Sequence, residues 1–85
     1  MIFITLIRFK KRAKEVTEVG KKIMQNLPVG VKIIGTYWTL GRYDAVWVYE
    51  ASSEKDAIKM FVDAGDVVST ETLVAVPREE AMKLL

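Results

Sequence analysis

VKIIGTYWTLGRYDAVWVYEA, residues 31–51, is two apolar runs that meet at a glycine. Val31–Leu40 and Ala45–Ala51 are rich in β-branched and aromatic residues and read as strands, with Gly41–Arg42 as a tight turn between them. A two-residue connection that opens with glycine suits a type II′ hairpin. With Leu40 paired to Tyr43, the register sets Trp38 opposite Ala45, Thr36 opposite Trp47 and Ile34 opposite Tyr49, all on one face. The other face then carries Ile33, Gly35 and Tyr37 against Val48 and Val46, with Glu50 at its margin.

Upstream of this hairpin, Ile2–Phe9 is a third strand, too short and too β-branched for a helix. Between them, Ala13, Val16, Val19, Gly20, Ile23, Met24 and Leu27 recur at three- and four-residue intervals. The spacing predicts an amphipathic helix over residues 12–27, ended by Pro28 and Gly30. Downstream, Ser53 followed by Asp56 opens a second helix with a capping-box-like start. Its expected buried side is Ala57, Ile58, Phe61, Val62 and Ala64, and Gly65 suits a left-handed C-terminal turn. Val67–Val76 is the fourth strand; Pro77 stops it, and Arg78–Leu85 reads as a short final helix. The order is β-α-β-β-α-β, an α+β ferredoxin-like arrangement. Right-handed crossovers place both helices on one face of a four-stranded antiparallel sheet.

With 85 residues, 51% hydrophobic and 28% charged, the chain reads as one domain over residues 1–85. It contains neither cysteine nor histidine. Disulfides, thiolate nucleophiles and cysteine-ligated metals are excluded, and so is the usual proton shuttle near neutral pH. No metal and no cofactor is expected. No apolar run approaches the roughly 18 residues of a membrane span, and the positive charges follow the apolar Met1–Ile7 rather than precede it. The expected location is cytoplasmic. The net charge of +2 divides unevenly: residues 8–32 carry +6 and the remainder −4.

Both faces of the sheet are apolar, yet two helices cover only one. The aliphatic set, Ile2, Ile4, Leu6, Val46 and Val48, is assigned to the helices. The aromatic set, Phe3, Phe9, Trp38, Trp47 and Tyr49, then falls on the bare face. Left wet, such a patch exceeds the few hundred Å² that monomers tolerate, so a homodimer through the sheet face is expected.

The run Tyr37-Trp38-Thr39-Leu40-Gly41-Arg42-Tyr43-Asp44, with Thr70-Glu71-Thr72-Leu73 after it, resembles the GYD domain family, named for its Gly-x-Tyr-Asp turn. The likeness extends over roughly residues 2–80. It implies membership of the dimeric α/β-barrel superfamily, in which two ferredoxin-like units pack sheet to sheet. The family has no settled activity. Its wider relatives include cofactor-free monooxygenases, lactone isomerases, haem-dependent chlorite dismutases and the sensing domain of Lrp/AsnC regulators.

Three groups of residues can carry function. In the hairpin turn, Arg42 can clamp a carboxylate or phosphate and Tyr43 can donate to it, although each position also has a structural task. On the expected inter-sheet face, Thr5, Trp38, Trp47 and Tyr49, with Glu71 and Thr72 of the fourth strand, make an aromatic cavity with a few polar groups. A filled dimer core is the plain alternative. Lys10, Lys11 and Arg12, with Arg8 and Lys14, cluster where the first helix begins, and oppose its dipole unless an anion is held there. The reading that follows is a homodimeric small-molecule binding or sensing module with its site between the sheets. A cofactor-independent oxygenase or isomerase acting on a small aromatic or carbonyl substrate is the first rival, with Glu50, Glu71, Asp44 or a tyrosine as its only acid–base groups. A weak nucleic-acid binder using aromatics on the first and third strands is the second.

Overall fold

The computed structural model describes residues 1–85. The elements are β1 (Ile2–Phe9), α1 (Ala13–Gln25), β2 (Lys32–Trp38), β3 (Ala45–Glu50), α2 (Glu54–Phe61), β4 (Val68–Ala75) and α3 (Arg78–Met82). The strands form one antiparallel sheet in the order β2-β3-β1-β4. β1 is central: Ile4 lies between Val48 and Leu73, and Thr5 between Trp47 and Thr72. The molecule is a slab, 17 Å through its thinnest direction, which is one sheet plus one helical layer. No helix is long and apolar enough to cross a membrane.

The order of elements is as expected, but the facing of the sheet is reversed. Phe3 and Tyr49 pack with Ala57 and Met60 of α2, and Ile7 and Ala45 with Ala64 and Val68. Trp47 and Phe9 join these clusters beside Val16, Val19 and Ile23 of α1. Phe3, Phe9, Trp47 and Tyr49 therefore lie under the helices, and Trp38 shares their face but stays exposed. Ile2, Ile4, Leu6, Val46 and Val48, expected there, are half-buried residues of the bare face. The reason is volume. Gly20, Ala57 and Ala64 on the helix side are small and leave room for the rings of Phe3, Trp47 and Tyr49.

A second difference follows from a β-bulge. The register shifts between Ile33 and Gly35, so Ile33 rather than Ile34 pairs with Tyr49, and Ile34 is half exposed. Beyond the bulge, Thr36↔Trp47 and Trp38↔Ala45 pair as expected. Gly35 permits this: a Cβ there would meet the Tyr37 ring at 2.8 Å, because that ring lies over it.

Helix α2 starts where expected, with Ser53 Oγ accepting from Asp56 N at 3.4 Å. Its inward side is Ala57, Met60, Phe61 and Ala64, whereas Ile58 and Val62 point to solvent at 66% and 63% exposure. The helix ends at Phe61 and the chain descends through tight turns, Ala64 N to Phe61 O and Val67 N to Ala64 O. Gly65 thus needs no left-handed conformation; positive φ occurs only at Gly30 and Gly41. α3 stops at Met82, short of the expected Leu85.

Candidate functional site

Helix α1 packs on the sheet through Val16, Val19 and Ile23 without burying any residue fully. Its apolar stripe approaches the sheet at Gly20, where an added Cβ would lie 3.6 Å from Trp47 Cζ2. The gap left beneath it is a cavity of about 460 Å³, lined mainly by apolar side chains. The sheet contributes Ile7, Phe9, Thr36, Trp38, Ala45 and Trp47, and the far wall is Phe61, Ala64 and Val68. Trp47 and Phe61 meet edge to face at 5.3 Å between centroids, and Phe9 and Trp38 do so at 6.0 Å. The polar lining is confined to Thr17, Lys21, Gln25 and Thr36. A cavity of this size, apolar with a few placed polar groups, is the ordinary form of a small-molecule site.

The residues expected to share one inter-sheet cavity divide into three places. Trp38 and Trp47 do line a cavity, but on the helix side of the sheet. Thr5 and Tyr49 lie deeper on that side, both with no solvent exposure. There Thr5 Oγ1 is 2.9 Å from both Tyr49 OH and Thr72 Oγ1, so a buried hydroxyl chain satisfies itself between β3, β1 and β4. Glu71 is one residue along from Thr72 and so belongs to the opposite, bare face.

The hairpin turn forms the third place. Gly41 adopts φ +110°. Asp44 fastens the turn to the end of β1: its Oδ2 accepts from Phe9 N at 2.7 Å, and its own N donates to Ile7 O at 2.8 Å. Thr39 Oγ1 donates to Tyr43 O rather than to Asp44. Leu40 is fully exposed, so Tyr43 does not pack on it. Instead the Arg8 guanidinium lies 5.5 Å from the Tyr43 ring centre and donates through Nε to the Arg42 carbonyl. Tyr43 OH donates to Glu71 Oε1 at 2.9 Å. That hydrogen bond, with lesser contributions from desolvation and the Glu71 charge, holds the Tyr43 phenol above its ordinary pKa.

Of the basic cluster, Lys10 is engaged, its Nζ donating to Gly65 O at 2.8 Å. Arg12 is the N-cap of α1 but makes no side-chain cap, and Lys11 is exposed.

The family model of the GYD domain matches residues 4–85. The chain belongs to the GYD domain family. Among solved structures, "crystal structure of FFRP-DM1" matches with TM-score 0.58 and 20% identity, covering 89% of this chain and all of that one. A hypothetical protein, PHS023 from Pyrococcus horikoshii, matches with TM-score 0.51 and 20% identity, covering 91% and 94%. At that identity both speak for the fold alone. No curated protein matches.

In this GYD domain the turn that carries the family resemblance is tied to its own chain through Asp44, Tyr43 and the Arg42 carbonyl, while the Arg42 side chain is exposed. The cavity lies elsewhere. Its helix-side residues, Gly20 and Lys21 foremost, were not singled out as site residues from sequence. The available signal was a glycine in the middle of an amphipathic stripe, where alanine would make the better helix.

Proposed function

We propose that this GYD domain is a small-molecule binding module whose site is the cavity between α1 and the sheet. One observation carries the reading: an aromatic-walled space of about 460 Å³ between α1 and the sheet, apolar with a few polar groups at its rim. Only ten of 85 residues are buried, yet Phe9, Trp38, Trp47 and Phe61 are arranged as walls rather than collapsed into the gap. No carboxylate lines the cavity, so binding asks nothing of it that is missing. An acid–base enzyme would need Glu50, Glu71, Asp44 or a tyrosine, and none of these lines the cavity. The RNA reading needs aromatics on the bare face of β1 and β3, and those positions are Ile2, Ile4, Leu6, Val46 and Val48.

The proposal includes a second copy. The bare face presents Ile4, Leu6, Val46 and Val48, half-buried in the single chain, beside Tyr37 and Leu73, which are 56% and 41% exposed. Each Å² of apolar surface still exposed there contributes about 25 cal/mol when taken out of water, and an identical sheet supplies a matching surface.

The chain's two tryptophans, Trp38 and Trp47, both line the cavity, so intrinsic fluorescence reports its occupancy directly. Titration with a panel of small aromatic compounds should give saturable changes that Gly20→Leu, which fills the space, abolishes. Responses that are absent, or equal in the filled variant, remove the reading.

A further inference from the structure

We propose that the occupant of this cavity is a flat apolar anion, an aromatic or conjugated body ending in one acidic group that pairs with Lys21. The inference rests on the binding reading above and adds the chemistry of the ligand.

Thr17, Lys21 and Gln25 are spaced by four along α1 and therefore form one row on its surface. All three line the cavity and together make its helix-side polar rim. Across from them, β2 contributes Thr36 and Trp38. Trp38 is 71% exposed, and Phe9 braces it edge-on with 76° between the ring planes. A large aromatic held in place by a neighbour while its surface stays open offers a flat ligand a stacking face.

The charge on this rim has one sign. Lys21 is the single charged lining residue, and Glu15 and Glu18, the acids of α1, line no part of the cavity. Elsewhere on α1 the charges are mixed, Lys14 and Lys22 with Glu15 and Glu18, so Lys21 alone gives the rim its sign. A cationic ligand would meet Lys21 with no carboxylate to offset it. An anionic one gains a charge-assisted hydrogen bond at the mouth while its apolar body displaces water from the walls.

Two fluorescent probes that share an aromatic skeleton test this: anilinonaphthalene sulfonate, which is anionic, and phenylnaphthylamine, which is neutral. Each is titrated against the wild-type chain and against Lys21→Gln, Lys21→Glu and Gly20→Leu, all first checked for cooperative melting. An exposed ion pair of about 1 kcal/mol corresponds to about a fivefold change in affinity. Lys21→Gln should weaken the anion about fivefold and Lys21→Glu further, with the neutral probe unchanged; added salt should weaken the anion alone. If both probes bind and Gly20→Leu blocks both, but the Lys21 variants and salt do not separate them, the anion proposal is overturned and the cavity stands. If Gly20→Leu leaves both probes bound as before, or neither binds the wild type, both readings fall. Should Gly20→Leu fail to fold, Trp38→Ala at the exposed rim replaces it, with the same loss of both probes expected.

Discussion

Tyr43 OH donates to Glu71 Oε1 at 2.9 Å, so the β2–β3 turn reaches across β1 to the far edge strand β4. The Arg8 guanidinium beneath the Tyr43 ring completes a clasp that spans the sheet on its bare side. The clasp explains why Tyr, rather than another aromatic, suits the third position of the turn.

The first prediction concerns its pH dependence. Because Glu71 stabilises the neutral phenol, the Tyr43 pKa is raised in the folded chain. Its contribution to stability is therefore complete below the ordinary phenol pKa and is lost as pH rises through the raised one. Tyrosinate absorbance should show a late-titrating group that Tyr43→Phe deletes and Glu71→Gln returns toward the ordinary value. A titration unchanged by Glu71→Gln would sever the link.

Asp44 offers a test of the turn's anchorage. Its carboxylate accepts from Phe9 N at the surface, so Asp44→Ala should cost about 1 kcal/mol. Urea melts should show the loss as a lower midpoint at constant slope. Asp44→Asn, which keeps an acceptor oxygen, should recover part of it.

The hydroxyl chain of Thr5, Tyr49 and Thr72 predicts strong non-additivity. Thr5→Val strands the buried Tyr49 OH and should cost about 1–3 kcal/mol. Thr72→Val, at the exposed end, should cost less. Combining Thr5→Val with Tyr49→Phe removes both partners, and the pair should be less damaging than the sum of the single changes. Strict additivity in chemical melts would argue against a coupled chain.

For Gly20 the expected sign is a gain. An added Cβ makes only ordinary contact with Trp47, and alanine is the better helix former by about 0.8–1.0 kcal/mol. Gly20→Ala should raise the melting temperature while shrinking the cavity, so that probe affinity falls as stability rises.

The proposed dimer is tested on the bare face. Val48→Glu puts a charge among Ile4, Val46 and Leu73 and should yield a monomer by light scattering without loss of secondary structure. Trp47→Glu, one residue along, faces the helices and should instead unfold the chain. A wild-type monomer would end the assembly proposal.

That last contrast marks the division between sequence and tertiary structure. Period-two alternation in Ile2–Phe9 and Ala45–Glu50 sorts Phe3, Thr5, Trp47 and Tyr49 into one set and Ile4, Leu6, Val46 and Val48 into the other. Along with Ser53 and Gly41, it also determines the order of elements, the hairpin and the start of α2. It cannot choose the side, because both sets are apolar and a period of two is symmetric between faces. The choice was made by packing: Gly20, Ala57 and Ala64, distant in sequence, jointly leave room for aromatic rings beside the helices. The same holds for the bulge at Gly35, which shifts Ile33 into the place expected of Ile34. The cavity belongs wholly to this second class, since it exists only where α1 stands off from β2 and β3.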